Sequence, residues 1–169
     1  MTTAVFDEAF EWYSEQWAPD LPLGEWWDRL ATAGWSFPKW PTGYGGRGLS
    51  TGDAREAERA RVAVGAYGPP KGLATFLVAP TLMAYGTPEQ LDRFMPGIVR
   101  GTDVWCQLFS EPGAGSDLAG LATRAVRDGD EWIVNGQKVW NSGAQYAKFG
   151  ILMARSDPEQ PKHKGISYF

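Results

Sequence analysis

Two stretches of the sequence combine side chains in ways that a fold alone does not require. In residues 107–120, QLFSEPGAGSDLAG, a predicted strand opens into a loop of glycines, hydroxyls and acids. Such a loop can aim consecutive backbone N–H groups, with the hydroxyls of Ser110 and Ser116, at an electron-rich ligand. Taken alone, it also reads as a turn held by Asx and serine caps. In residues 135–147, NGQKVWNSGAQYA, a predicted hairpin delivers Trp140 next to Ser142 at the end of a strand. An indole beside a hydroxyl suits a flat heteroaromatic ligand, since one covers a ring while the other donates to a ring nitrogen. Taken alone, Trp140 reads as a core residue.

The elements that must position these stretches change character along the chain. Up to residue 102 the sequence reads as helices punctuated by Gly and Pro. Phe6, Phe10, Tyr13 and Trp17 line one face of a helix over residues 5–17. A second helix, presenting Trp26, Trp27 and Leu30, runs from Leu23 to a C-cap at Gly34. Residues 37–49, FPKWPTGYGGRGL, have too much Pro and Gly for regular structure. Ser50 and Asp53 form a capping-box pattern for a helix to Ala66. On it, Arg55, Glu56, Glu58, Arg59 and Arg61 make a solvated side, and Ala54, Ala57, Ala60 and Val64 a small-residue side. Residues 72–85 are apolar nearly all round, which predicts a central helix surrounded by protein and kinked at Pro80. Thr87-Pro88-Glu89-Gln90 caps a further helix, bent at Pro96.

From residue 103 the periodicity becomes that of strands, predicted over 103–109, 123–127, 131–134, 137–140, 148–154 and 165–169. Asp128-Gly129 and Asn135-Gly136 are the hairpin signals. Because residue 169 falls inside a strand, the sheet is expected to need more chain. The expected fold is α+β: an all-α helical domain over residues 1–102, then an incomplete antiparallel β-barrel domain over residues 103–169.

Together, in this order and spacing, the two chemical stretches resemble the acyl-CoA dehydrogenase family. Residues 40–50 (WPTGYGGRGLS) match the loop between the family's early helices, and 85–101 (YGTPEQLDRFMPGIVRG) the last helices of its N-terminal domain. Residues 107–117 and 135–140 match its middle-domain signatures. The resemblance implies FAD as cofactor, with Gln107, Leu108, Phe109 and Ser110 lining the isoalloxazine, Trp140 covering it, Asn141 beside it and Ser142 bonding near N5. Ser116 matches a position that contacts the acyl-CoA substrate, whereas Glu111 and Asp117 look like loop-fixing residues. Family members often carry an aromatic residue in place of Gln107, Thr in place of Ser110 and Ser142, and Ile or Thr in place of Asn141. Serine keeps the hydroxyl but lacks the methyl that restricts its rotamer.

The implied reaction is α,β-dehydrogenation of an acyl-CoA thioester, in which a carboxylate removes the α-proton and the β-hydride passes to flavin N5. In the family that carboxylate belongs to a C-terminal helical domain beyond residue 169. No residue here is therefore assigned a catalytic role, and the chain reads as an N-terminal portion, inactive alone. The resemblance further implies electron-transferring flavoprotein as acceptor and a homo- or hetero-oligomer, dimer or tetramer. An acyl-CoA oxidase shares the architecture. From a different class, a non-catalytic ligand- or partner-binding module also fits a Trp-rich α+β chain.

Bulk properties exclude other classes. With 16 Lys+Arg against 20 Asp+Glu the net charge is -4, and the longest basic run is Lys162-His163-Lys164, so no nucleic-acid partner is expected. The apolar run at 72–85 is too short to cross a bilayer, and the N-terminus lacks a signal-peptide pattern. One cysteine, Cys106, allows no internal disulfide, which points to the reducing cytoplasm. His163 is the sole histidine and lies in a polar loop, leaving metal clusters and histidine triads little to build on. GYGGRG at 43–48 fits the dinucleotide fingerprint by letter but follows no strand, so it reads as a chance match.

Overall fold

The computed structural model describes residues 3–169, which fall into two compact units that divide between Asp103 and Val104. The first is helical. Its α1 (Ala4–Gln16) begins with the Thr3 hydroxyl accepting from the Phe6 N–H, and α2 (Leu23–Ala33) ends on left-handed Gly34, as the sequence predicts. Helix α3 (Thr51–Val64) follows Ser50, whose hydroxyl accepts from Asp53 N–H. The Asp53 carboxylate accepts from that same hydroxyl, at 2.8 Å.

The core of this unit gathers Ala9, Tyr13, Trp26, Leu30, Trp35, Ala57, Ala60 and Ala66. Of the aromatic stripe on α1 only Tyr13 is buried, and Phe10 is 41% exposed. Ala57 and Ala60, wholly buried, give α3 the flat side that the sequence assigns to it. Burying Trp26, Leu30 and Trp35 stabilises the fold by on the order of 2 kcal/mol each. The indoles keep their polar ends satisfied: Trp26 Nε1 donates to the Tyr67 carbonyl and Trp27 Nε1 to that of Gly68. Arg61 departs from the predicted solvated side. Its side chain is largely buried, paired with Glu58 and donating to the Ala66 carbonyl, because the chain turns back at Gly65 and leaves that carbonyl needing a donor.

The apolar segment after Gly72 is not surrounded by protein within this unit. A π-helical turn (Ala74–Val78) leads into α4 (Ala79–Tyr85); Thr75, Val78 and Ala79 are buried, whereas Phe76 and Tyr85 are exposed. The wider turn lies just before Pro80, which has no N–H to give to the helix ladder. Helix α5 (Pro88–Val99) carries the full capping box between Thr87 and Gln90, with Pro96 inside it.

The glycines of GYGGRG serve packing rather than phosphate. A Cβ on Gly46 would sit 2.0 Å from the Trp40 carbonyl oxygen, and one on Gly45 2.9 Å from Val99. We expect Gly46→Ala to destabilise the fold by at least about 2 kcal/mol, read as a lower urea midpoint with an unchanged slope.

The second unit is a five-stranded sheet in the order β1 (Trp105–Leu108), β4 (Phe149–Arg155), β2 (Arg124–Asp128), β3 (Glu131–Asn135), with β5 (Ile166–Tyr168) also on β4. The sheet is mixed. β2–β3 and β4–β5 are antiparallel, but β1 runs parallel to β4 and β2 meets β4 in parallel at Arg124 and Arg155. Turn residues encode only neighbouring pairs, and a parallel pair needs a long crossover that leaves no such signal.

Asp128-Gly129 forms the expected hairpin, with Gly129 at φ +58°. Asn135-Gly136 does not, and residues 137–140 form no strand. Gly136 answers a different need: a Cβ there would lie 2.7 Å from the Thr123 backbone. Along β3, Trp132, Ile133 and Val134 are all exposed, as is Val126 on β2.

Candidate functional site

Strand β1 pairs Gln107 with Ile151 and Leu108 with Leu152, which fixes the first two candidate residues on the sheet. Phe109 and Ser110 run off its end, with the Phe109 ring edge-on to Tyr168 at 6.3 Å. All four are half-buried, so each keeps surface to offer a ligand.

Trp140 sits in a turn, not at a hairpin strand. Its φ is +62° and its side chain is 87% exposed, which overturns the core reading. The Ser142 N–H donates to the Trp140 carbonyl and the Ala144 N–H to that of Asn141, each at 3.0 Å, and Gly143 takes φ +78°. A bulky residue in the left-handed region is strained by about 1 kcal/mol. The exposed ring returns almost no burial for that strain. Asn141 Oδ1 is buried without a hydrogen-bond partner. Ser116 and Ser142 are exposed and Ser110 is half-buried.

The two stretches meet through backbone and charge. Val139 N–H donates to the Ser110 carbonyl at 2.9 Å. Lys138 Nζ donates to the Phe109 carbonyl and to Glu111 Oε1, both at 2.9 Å. The Lys138 and Glu111 side chains are only 7% and 8% exposed. Glu111 also accepts from the N–H of Ala122 at 2.6 Å and of Thr123 at 2.9 Å. Burial raises the pKa of its carboxyl, but hydrogen bonds from Thr123, the Ala122 N–H and Lys138 outweigh burial and hold it at about 2. It is thus a fixed anion, unsuited to taking a proton from carbon near neutral pH. Glu111 fixes the loop as expected, and Asp117 pairs with Lys162, which lowers its carboxyl pKa. Ser116 lies exposed between them.

Lys138 is the residue that the sequence reading missed. Its neighbours Asn135, Gly136, Gln137, Asn141 and Ser142 are polar or small and gave no sign that Lys138 is buried. His163 is exposed, as expected for the polar loop.

An exposed indole and, at the next residue, a buried carboxamide oxygen without a partner stand together at Trp140 and Asn141. The chain is thus a helical unit followed by a mixed-sheet unit that carries both candidate stretches.

Residues 1–102 match the acyl-CoA dehydrogenase N-terminal domain and residues 106–169 the acyl-CoA dehydrogenase middle domain. The acyl-CoA dehydrogenase FadE34 of Mycobacterium tuberculosis (strain ATCC 25618 / H37Rv) is 49% identical over 149 residues, covering 83% of this chain and 19% of that protein. The solved Tcur3481-Tcur3483 steroid ACAD aligns with 99% of this chain and 47% of its own at 37% identity, TM-score 0.70. The ChsE4-ChsE5 complex from Mycobacterium tuberculosis aligns with 97% and 44% at 39% identity, TM-score 0.68. The chain belongs to the acyl-CoA dehydrogenase family, and spans less than half the length of these relatives. Among the described residues no helix is long and apolar enough to cross a membrane.

Proposed function

We propose that this chain supplies part of the FAD site of an acyl-CoA dehydrogenase, while the base that removes the α-proton comes from another segment or polypeptide. The observation that carries this reading is Trp140, held in a strained backbone with its ring in solvent. When bound, the flavin supplies a two-electron acceptor for the β-hydride. Gln107, Leu108, Phe109 and Ser110 line its ring, Trp140 covers it, and Asn141 and Ser142 meet its polar edge. Ser116 contacts the acyl-CoA. The described carboxylates beside these residues are engaged, Glu111 by Lys138 and backbone amides and Asp117 by Lys162, so neither acts as the base. Electron-transferring flavoprotein is the proposed acceptor and the cytoplasm the proposed compartment.

The likeness to an assembly called a steroid ACAD favours a steroid-linked acyl-CoA as substrate, and the two-component names favour a heteromeric assembly. On this reading the chain alone binds FAD weakly and turns over no acyl-CoA. Gel filtration of the chain with FAD checks this: flavin absorbance should separate from the protein peak, and co-eluting flavin with turnover would overturn it.

A further inference from the structure

We propose that Lys138 is a positioning residue for the flavin-facing backbone, tying the Phe109–Ser110 segment to the Trp140 turn through Glu111. The inference rests on the flavin reading above.

Neither sheet ladder reaches across this junction. β1 stops at Leu108 and β3 at Asn135, so Phe109, Ser110 and the Trp140 turn lie beyond the strands. Among the described residues they are joined by Val139 N–H donating to the Ser110 carbonyl and by the Lys138 ammonium donating to the Phe109 carbonyl and the Glu111 carboxylate. One charged group thus holds the residue before Ser110 and the residue after it.

The choice of residues argues for registration more than for stability. Both side chains are more than nine-tenths buried, and a buried ion pair recovers little beyond its desolvation penalty; an apolar pair of similar volume packs as well. What an apolar pair does not supply is a directed donor to the Phe109 carbonyl. Glu111 is itself anchored by the Ala122 and Thr123 amides, so the ammonium is referred to the start of β2, a rigid part of the sheet. Two residues from Lys138 stands the strained Trp140, whose placement depends on where residues 138 and 139 are pinned.

The test compares the full chain with K138M, K138R and the double variant E111Q/K138M, which leaves no unpaired buried charge if K138M alone folds poorly. The first readout is amide hydrogen exchange without flavin. In K138M and in the double variant, the Val139 amide should exchange at least tenfold faster, while amides of β2 and β4 keep their protection. Unchanged exchange at Val139 in a folded variant overturns the inference, whatever happens with flavin. The second readout is the pattern of amide shifts on titrating FAD. Wild-type shifts should fall on residues 107–110 and 140–142, shrink in both apolar variants and return in part in K138R. Wild-type shifts elsewhere overturn the flavin reading, and with it this inference, even if the exchange result holds. Equal loss of exchange protection across the whole sheet makes Lys138 a general stabiliser and also overturns the proposal.

Discussion

Replacing Trp140 with glycine is expected to leave the fold as stable as before, or to stabilise it by about 1 kcal/mol, while weakening flavin binding on the order of tenfold or more. The two effects have different origins. Glycine relaxes a φ of +62° that bulky side chains adopt only under strain. The indole removed is 87% exposed, so little packing is lost from the protein itself. Its contact area is realised only when a ring lies against it. Thermal melts of the chain read the first effect, and flavin retention in the assembled enzyme reads the second. A fall in melting temperature matching the loss of flavin would mean that the ring supports the fold instead. Trp140→Ala should weaken flavin to the same degree, while its stability stays nearer wild type because alanine retains the Cβ clash.

Removing the Glu111 carboxylate should have the largest effect on stability. Glu111→Ala strands the buried Lys138 ammonium and the amides of Ala122 and Thr123, and should cost about 3 to 5 kcal/mol. Acid should act along the same path. The folded carboxyl titrates at about 2, below its ordinary 4.5, so its contribution is complete above the ordinary value and is lost as pH falls toward the folded one. The shift is worth up to about 3 kcal/mol. Urea unfolding between pH 5 and 2, the window that spans those two pKa values, should therefore show wild type losing more stability than Glu111→Gln. Parallel curves for the two proteins would show that the carboxylate is not held by its neighbours.

What could be read from the sequence depended on how local the cause was. The Thr87 capping box, the Gly34 cap and the Asp128-Gly129 hairpin are each decided within a few residues, and each forms. The helical first half and strand-rich second half follow from periodicity and are present. Non-local causes were hidden. Gly136 resembles a turn glycine but is required by the Thr123 backbone, thirteen residues earlier in the chain. Arg61 resembles a surface residue of a charged helix face but serves a carbonyl after the next turn. The parallel β1–β4 pairing has no turn to announce it. For the candidate site, the two stretches were visible as strings of residue types, and Val139 with Ser110 shows them joined. Trp140 in solvent was not legible, because an indole taken alone reads as packing until its exposure is known. Lys138 escaped for a related reason: its acceptor lies 27 residues away.

The exposure of β3 has a practical side. Trp132, Ile133 and Val134 form a short apolar ribbon on a strand that is hydrogen-bonded on one side only, a ready template for strand addition by any neighbouring chain. The acidic tip at Asp128, Asp130 and Glu131 works as a gatekeeper, repelling a second identical tip brought alongside it. Purification at high salt would screen that repulsion and favour clumping, so dilute buffers well above the acidic range suit this polypeptide best.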